Sequence, residues 1–174
     1  MWVGISTLVL WGVIIISGTF AQAEEQRVAS LRSLTGVAVT VEAMDPEAER
    51  DGLTSTQLQT DVELRLRNAG IQILPDVKNQ DASEAPDLYV KVNAIKSELG
   101  SYALTISVSL RQWMVLKDNP DVRIFAPTWT TSAMAIIGEQ RLWKVRGYVV
   151  DQVDKFIRVY YVMNSQDDVK LAKP

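Results

Sequence analysis

The stretch that decides the fold is YALTISVSLRQWMVL, residues 102–116, in which apolar and polar side chains alternate. Successive side chains of a β-strand point to opposite faces, so this pattern predicts one long strand. One face carries Tyr102, Leu104, Ile106, Val108, Leu110, Gln112, Met114 and Leu116. The other face carries mostly small or polar residues from Ala103 to Val115. A clean division of this kind is typical of an antiparallel sheet with one covered face and one wetter face.

Four further stretches on either side of this strand also favour extended structure. They are residues 36–42, 71–74, 88–95 and 124–137. Pro127 lies within the last of them and has no backbone N–H to donate, which predicts an edge strand or a bulge at that position. We therefore expect a mostly antiparallel sheet of about four to five strands.

Two amphipathic helices are predicted, one before and one after the long strands. The first runs from Thr54 to Asn68, with Thr54 and Gln57 forming a capping box. The second runs from Arg141 to Asn164. Acid-first pairs such as Asp61–Arg65 are expected to stabilise the helices locally. Each helix has an apolar stripe, and one sheet face can cover both stripes. The sequence thus predicts an α+β two-layer sandwich with the order β-α-β-β-β-β-α.

Composition limits the chemistry that this chain can perform. It has 174 residues, which is the usual size of one domain, and its formal charge of −3 argues against nucleic-acid binding. It contains neither His nor Cys, which excludes Ser-His-Asp triads, thiolate zinc sites, disulfides and lipid attachment through cysteine. We therefore predict no catalytic residue, no metal and no cofactor, and a protein that is not an enzyme.

The N-terminal segment has the order of a secretory signal peptide. Residues 1–23 carry no charged side chain, residues 8–16 form an apolar block, and Ala21-Gln22-Ala23 places small residues at the cleavage site. Cleavage there would leave residues 24–174 as a single α+β domain with a polar tail at 165–174. The predicted location is therefore periplasmic or secreted. An uncleaved membrane anchor is the alternative, and it is the only membrane contact that we expect.

Several strings resemble those of an uncharacterised family of exported bacterial proteins. They are GLT at 52–54, LQTDVELRLR at 58–67, AGI at 69–71, LYV at 88–90, Thr128-Trp129, and VDKFI at 153–157 ahead of Asn164. This resemblance implies no particular activity. The element order is also similar to that of small envelope domains, such as the lipopolysaccharide-assembly lipoprotein, the curli secretion lipoprotein and the amino-terminal domain of the Tol translocation protein. Those families imply partner binding in the cell envelope, although this chain lacks their lipid-bearing cysteine.

The string TWTTS at 128–132 is the strongest candidate for a binding surface. On an edge strand its hydroxyls would lie beside Trp129, and Trp113 lies on the wetter face of the long strand. Aromatic residues are enriched at interface cores, so an envelope protein or a glycan is the expected partner. The candidate partner-binding residues are Trp113, Trp129, Thr128, Thr130 and Ser132. The alternative is that Trp129 simply covers the sheet.

Two acidic stretches supply the oxygen ligands that Ca²⁺ prefers. One contains Asp45, Glu47, Glu49 and Asp51, and the other contains Asp76, Asp81, Glu84 and Asp87. A solvated loop that leads into a helix is nevertheless the interpretation that we favour for both stretches. The sequence as a whole favours a non-enzymatic periplasmic or exported binding or assembly factor. The alternatives are a small acid-dependent envelope hydrolase and a membrane-tethered accessory subunit.

Overall fold

The computed structural model describes residues 28–75 and 85–171. The predicted signal peptide lies outside this part of the chain, as do Asp76, Asp81 and Glu84 of the second acidic stretch. The elements in chain order are β1 (Gly36–Val41), α1 (Pro46–Arg50), α2 (Ser55–Asn68), β2 (Gln72–Ile73), β3 (Asp87–Lys96), β4 (Ser101–Leu116), β5 (Asn119–Gly138), a 3₁₀-helix (Glu139–Lys144) and α3 (Val145–Leu171). The α+β class and the predicted order of strands and long helices are confirmed.

The ends of the last helix differ from the prediction. Residues 139–144 form a 3₁₀-helix, so the regular α-helix begins at Val145 rather than at Arg141. Helical backbone then continues past Asn164 to Leu171, into the stretch predicted as a polar tail. Short helix α1 was not predicted either, because the Pro46 and acidic residues of that stretch were interpreted as a loop. Proline is well tolerated at the first position of a helix, where no N–H is needed.

The five strands form one sheet in the order β2-β1-β3-β4-β5. The long pairings β3–β4 and β4–β5 are antiparallel, as predicted. Strand β1 is parallel to both β2 and β3, which was not predicted. Helix α2 connects β1 to β2, and a strand that returns to its neighbour through a helical crossover must run parallel to it. The register between β4 and β5 shifts after Leu110, opposite Pro127 on the edge strand, and this confirms the predicted bulge.

Helices α2 and α3 both cover the same face of the sheet. Their buried stripes pack on the alternate strand residues that the pattern assigned to the covered face. The helix contribution consists of Leu58, Val62, Leu66, Val149, Val153 and Phe156, and the sheet contribution includes Val37, Val39, Leu88, Val90, Leu104, Ile106 and Val108. Apolar burial of this kind contributes about 25 cal/mol per Å² to folding. The result is the predicted two-layer sandwich.

The ends of α2 follow the sequence signals. The Thr54 side chain accepts a hydrogen bond from the Gln57 backbone N–H at 3.3 Å, as a capping residue does. Gly70 follows the helix and has a φ of +74°. Residues with a Cβ atom disfavour this left-handed conformation, so glycine is preferred at the position.

Two of the four charged residues of α2 bond across to α3, and the other two, Glu63 and Arg67, form an acid-first pair within α2 at 2.8 Å. Arg146 makes two hydrogen bonds to the Asp61 carboxylate, at 2.6 and 2.7 Å, and Arg65 reaches Asp154 at 2.5 Å. The predicted Asp61–Arg65 pair is therefore wrong. Because the two helices lie side by side on the sheet, Asp61 and Arg65 each have a partner on the neighbouring helix, and the Arg146–Asp61 pair is bidentate.

Asn164 joins the end of the fold to its beginning. Its Oδ1 accepts a hydrogen bond from the Ser33 backbone N–H at 2.8 Å, and its Nδ2 donates to the Leu31 carbonyl at 2.9 Å. One turn earlier, the Tyr160 hydroxyl donates to the Leu34 carbonyl at 2.9 Å. Ser33 has a φ of +61°, so this segment holds a conformation that a residue other than glycine seldom adopts. The contacts with α3 hold the chain in position just before it enters β1.

Replacing Asn164 with Ala is expected to destabilise the whole fold. The variant loses both hydrogen bonds to the segment before β1, and the expected cost is about 1–3 kcal/mol. Urea denaturation followed by circular dichroism measures it. The matched control is Asn68→Ala on the exposed side of α2, which should change stability by less than about 0.5 kcal/mol. Equal midpoints for the two variants would contradict this account of Asn164.

Candidate functional site

The face of the sheet opposite α2 and α3 is the best candidate for a binding surface, and we call it the open face. The described helices leave it uncovered, and the side chains that alternate with the buried ones stand on it. Its members are Thr40, Glu42, Asp87, Tyr89, Lys91, Asn93, Ile95, Ala103, Thr105, Ser107, Ser109, Arg111, Thr130, Ser132, Met134 and Ile136. Three zones of different chemistry follow one another along the strands.

The apolar zone lies at the end of the open face near the β3–β4 turn. Met134, Ile136 and Ile95 are 84%, 83% and 72% exposed. The strand register places Ala103 opposite Ile136 and Thr105 opposite Met134, so small side chains separate the large ones. A shallow depression of about 430 Å³ lies among them. Large apolar side chains that cluster at such exposure mark an interaction site more often than scattered ones do.

The hydroxyl zone occupies the middle of the open face. The register pairs Ser107 with Ser132 and Ser109 with Thr130, and the Thr130 hydroxyl donates to the Ser109 hydroxyl at 3.0 Å. These four side chains are uncharged, and Lys91 of β3 lies beside them, opposite Ser107. Hydroxyls of this kind both donate and accept, so they suit an uncharged polar surface on a partner.

The charged zone begins where the bulge shifts the register. Arg111 binds the Asp87 carboxylate through Nε at 2.8 Å and through a second nitrogen, and its guanidinium lies 3.8 Å from the centroid of the Tyr89 ring. Phe125 lies on another side of the guanidinium, at 5.4 Å. Asp87 is buried, and its Oδ1 has no hydrogen-bond partner. The arginine is thus held in place by one carboxylate and two rings.

Glu42 stands next to this cluster and is also paired. Its carboxylate accepts hydrogen bonds from the Tyr89 hydroxyl and from Lys91 Nζ, the latter at 2.9 Å. These two donors hold the pKa of Glu42 below its ordinary value, and the Tyr89 bond has the larger effect. Burial, together with the carboxylate, raises the pKa of Tyr89. The charges of this zone therefore satisfy one another.

The site residues predicted from the TWTTS string divide between the two faces. Thr130 and Ser132 lie on the open face. Trp129 is only 6% exposed and packs edge-on against Phe156 of α3, with 5.6 Å between the ring centroids. The expectation that Trp129 lies beside exposed hydroxyls is wrong, and the alternative, a Trp that covers the sheet, is correct. The reason is that successive side chains of a β-strand point to opposite faces of the sheet. Because Thr130 lies on the open face, its neighbour Trp129 must lie on the face that the helices cover.

Thr128 and Trp113 occupy the region of the bulge and beyond it. The Thr128 hydroxyl donates to Gln112 Oε1 at 2.7 Å. Trp113 lies on the same side of β4 as Arg111, in the part of the β4–β5 hairpin that extends past the helices, and its ring contacts Phe125 at 5.4 Å. The structure therefore separates these two residues from the hydroxyl zone. Whether either of them binds a partner stays a prediction.

The projecting part of the β4–β5 hairpin corrects one sequence expectation. Met114 and Leu116 belong to the face of β4 that was predicted to be covered, yet both are exposed. Alternation continues along β4 to its end, but α2 and α3 cover only its first part, up to Leu110. The alternation of a strand predicts which side chains share a face of the sheet. It does not predict how far along the strand the helices cover that face.

The carboxylates of the first acidic stretch have structural partners. Asp45 caps α1 and accepts from the Glu47 backbone N–H at 2.8 Å, which agrees with the helix-start interpretation. Asp51 binds Lys96 at 2.6 Å and the Tyr102 hydroxyl at 2.5 Å, and both lower its pKa. Burial and Asp51 raise the pKa of Tyr102 to about 12. Within residues 28–75 and 85–171, no three acidic side chains form a group that would hold a metal.

These pKa shifts bear on the hydrolase alternative. Glycoside hydrolysis by two carboxyl groups needs one of them to stay protonated near neutral pH, which requires a raised pKa. The pKa values of Asp51 and Glu42 are lowered, and both groups are bound to cations. These two carboxylates are suited to holding the fold together, and neither is suited to donating a proton.

Comparisons with known proteins assign the chain to no class. No family matches it, and no curated protein matches it significantly. Among the described helices, none combines the length and the apolar character needed to cross a membrane.

The paired state of Glu42 predicts a specific response to acid. A carboxyl whose pKa is lowered on folding stabilises the protein above its unfolded pKa of about 4.3, and this contribution disappears as the pH falls through the folded value. Melting temperatures of the wild type and Glu42→Gln should therefore converge between about pH 6 and pH 3.

Tyr89→Phe provides the control for this measurement. It keeps the Glu42 carboxylate and Lys91 but removes the hydroxyl donor, so its melting temperature should depend on pH to an intermediate degree. A constant difference between the wild type and Glu42→Gln across the whole pH range would show that the carboxylate has no favourable partner in the folded state.

Proposed function

We propose that this protein is a non-enzymatic binding or assembly factor that acts in the periplasm or after secretion and holds a protein partner on its open face. The exposure of Met134, Ile136 and Ile95 is the observation that carries the proposal. Three large apolar side chains beside one shallow depression provide the apolar core that an interface needs, and the neighbouring hydroxyls provide a polar rim.

The edge strand β5 adds a second mode of attachment. Residues 124–138 contain no charged side chain, and β5 is the last strand of the sheet in the part of the chain described. Edge strands are normally protected by lysines, prolines or bulges. Pro127 and the bulge protect only one point of β5, so the stretch from Thr130 to Gly138 remains suited to pairing with a strand of the partner.

Export is supported by the sequence. An uncharged apolar segment followed by Ala21-Gln22-Ala23 fits removal of a signal peptide. The proposal holds that the mature chain begins at Glu24. Intact mass spectrometry of the protein recovered from the cell envelope fraction tests this directly. A chain that still begins at Met1 would support the membrane-tethered alternative instead.

Site-specific photo-crosslinking in cells that make the protein tests the open face. A photoreactive amino acid at Met134 should yield one discrete adduct, because that side chain lies in the apolar zone. The same probe at Gln57, which is exposed on α2 and thus on the other side of the molecule, is the matched control and should yield none.

A second substitution shows whether the adduct reports specific binding. Ile136→Lys places a charge in the apolar zone at an exposed position, so the fold should tolerate it while the adduct at Met134 falls about tenfold or more. Gln57→Lys should leave the yield unchanged. Equal adducts at positions 134 and 57, or an adduct that survives Ile136→Lys, would refute the open face as the binding surface.

A further inference from the structure

A groove on the helix side of the molecule, opposite the open face, has features of a ligand site. It lies between α2 and the beginning of α3, and we call it the helix groove. Its volume is about 690 Å³, within the range of about 300–1,000 Å³ that is usual for ligand sites. The lining residues on which the argument depends are Leu64, Asn68, Trp143, Gly147, Tyr148 and Asp151.

Trp143 provides an aromatic surface at one end of the helix groove. Trp143 is 65% exposed, and the Nζ atom of Lys144 lies 5.6 Å from the centroid of its ring. Tyr148 is partly exposed in the same groove, and Leu64 projects into it from α2. A tryptophan is usually at least half-buried, so one that stands out beside a groove offers a flat face to a ligand.

Gly147 keeps the floor of the helix groove open. It lies in the first turn of α3, where glycine is less stable than alanine, and a Cβ placed there would meet no atom within 4 Å. Neither a left-handed φ nor close packing explains the glycine. It lies four residues before Asp151 on α3, so these two share one side of that helix, and Trp143 of the preceding 3₁₀-helix lines the same groove. The missing side chain leaves open space at this point of the groove lining.

The charges along the helix groove are largely neutralised in advance. Arg146 is held by two hydrogen bonds to Asp61, and Arg65 is bound to Asp154. A strongly anionic ligand would have to compete with these carboxylates. The pairs nevertheless fix planar polar groups at the edge of the groove, and the exposed Asn68 and Asp151 add further donors and acceptors.

We propose that the helix groove binds a glycan chain, with one sugar ring stacked on Trp143 and its neighbour passing over Gly147. A sugar ring has an apolar C–H face that suits an aromatic surface, and hydroxyls that suit paired carboxylate, amide and guanidinium groups. Because sugar hydroxyls are uncharged, they can bind in a groove whose charged side chains already neutralise one another. A peptide helix would need a continuous apolar trough, which the Arg146–Asp61 pair interrupts.

This site goes beyond the proposed function. The open face and the helix groove lie on opposite layers of the sandwich, so a protein partner and a glycan can be bound at the same time. The failure of either site leaves the other unaffected.

Fluorine NMR of the full chain labelled with 5-fluorotryptophan tests the proposal. The probes are chitohexaose, cellohexaose and maltohexaose, each titrated to millimolar concentration. We expect at least one of them to shift the Trp143 resonance, assigned through Trp143→Phe, while the Trp113 and Trp129 resonances stay in place. Trp143→Ala should weaken binding of that hexaose, measured by calorimetry, at least tenfold.

Two variants of Gly147 separate a ligand site from a structural feature. Gly147→Gln should fill the gap and weaken hexaose binding about tenfold. Gly147→Ala should raise the melting temperature by about 2–4 °C because alanine favours the helix, and it should weaken binding measurably. Leu99→Ala, at a fully exposed apolar position outside the groove, is the control and should bind as the wild type does.

Three results would overturn the proposal. The first is the absence of any Trp143 shift with all three hexaoses. The second is a shift that survives Gly147→Gln. The third is saturable binding of an amphipathic helical peptide in the groove with no binding of a hexaose, which would assign the groove to a protein ligand.

Discussion

Both long helices of this protein must bury their apolar stripes on the same face of a single sheet. Helix α2 connects the parallel strands β1 and β2 and packs on one side of them, and α3 packs beside it. The bidentate Arg146–Asp61 pair and the Arg65–Asp154 pair then fix the two helices against each other. Because the helices of residues 28–75 and 85–171 all pack on one face, they leave the other sheet face to solvent or to a partner. The two candidate surfaces both follow from this asymmetry.

Much of the fold follows from periodicity alone. The alternation of apolar and polar residues in β3 and β4 correctly predicted nearly every side chain that the helices cover. The apolar stripe of α2 correctly predicted that Leu58, Val62 and Leu66 are buried. The parallel pairing of β1 was not predicted, because pairing partners depend on the route of the connecting helix rather than on any strand's own sequence. Of the acid-first pairs in α2, Glu63–Arg67 is formed, whereas Asp61 and Arg65 bind α3 instead because the neighbouring helix offers each of them a partner.

The candidate surfaces were less predictable than the fold. Trp129 was predicted to be exposed because aromatic residues are common at interfaces. The alternation of β5, however, places Trp129 and its neighbour Thr130 on opposite faces of the sheet. The sequence does contain one indication of the apolar zone. In the alternating pattern of β3, Ile95 is a large apolar residue at a position where the pattern predicts an exposed side chain. The helix groove had no comparable signal. Trp143, Gly147 and Leu64 come from different elements, and only the packing of α2 against α3 brings them together.

The hydrogen bonds of Asn164 have a consequence for the way the chain matures. Because they connect residues more than a hundred positions apart, the segment before β1 gains these contacts only after residue 164 has left the ribosome. Strand β1 also waits for β3, its partner from later in the chain. The contacts at the beginning of the fold therefore form later than the β4–β5 hairpin, whose two strands are neighbours in the chain.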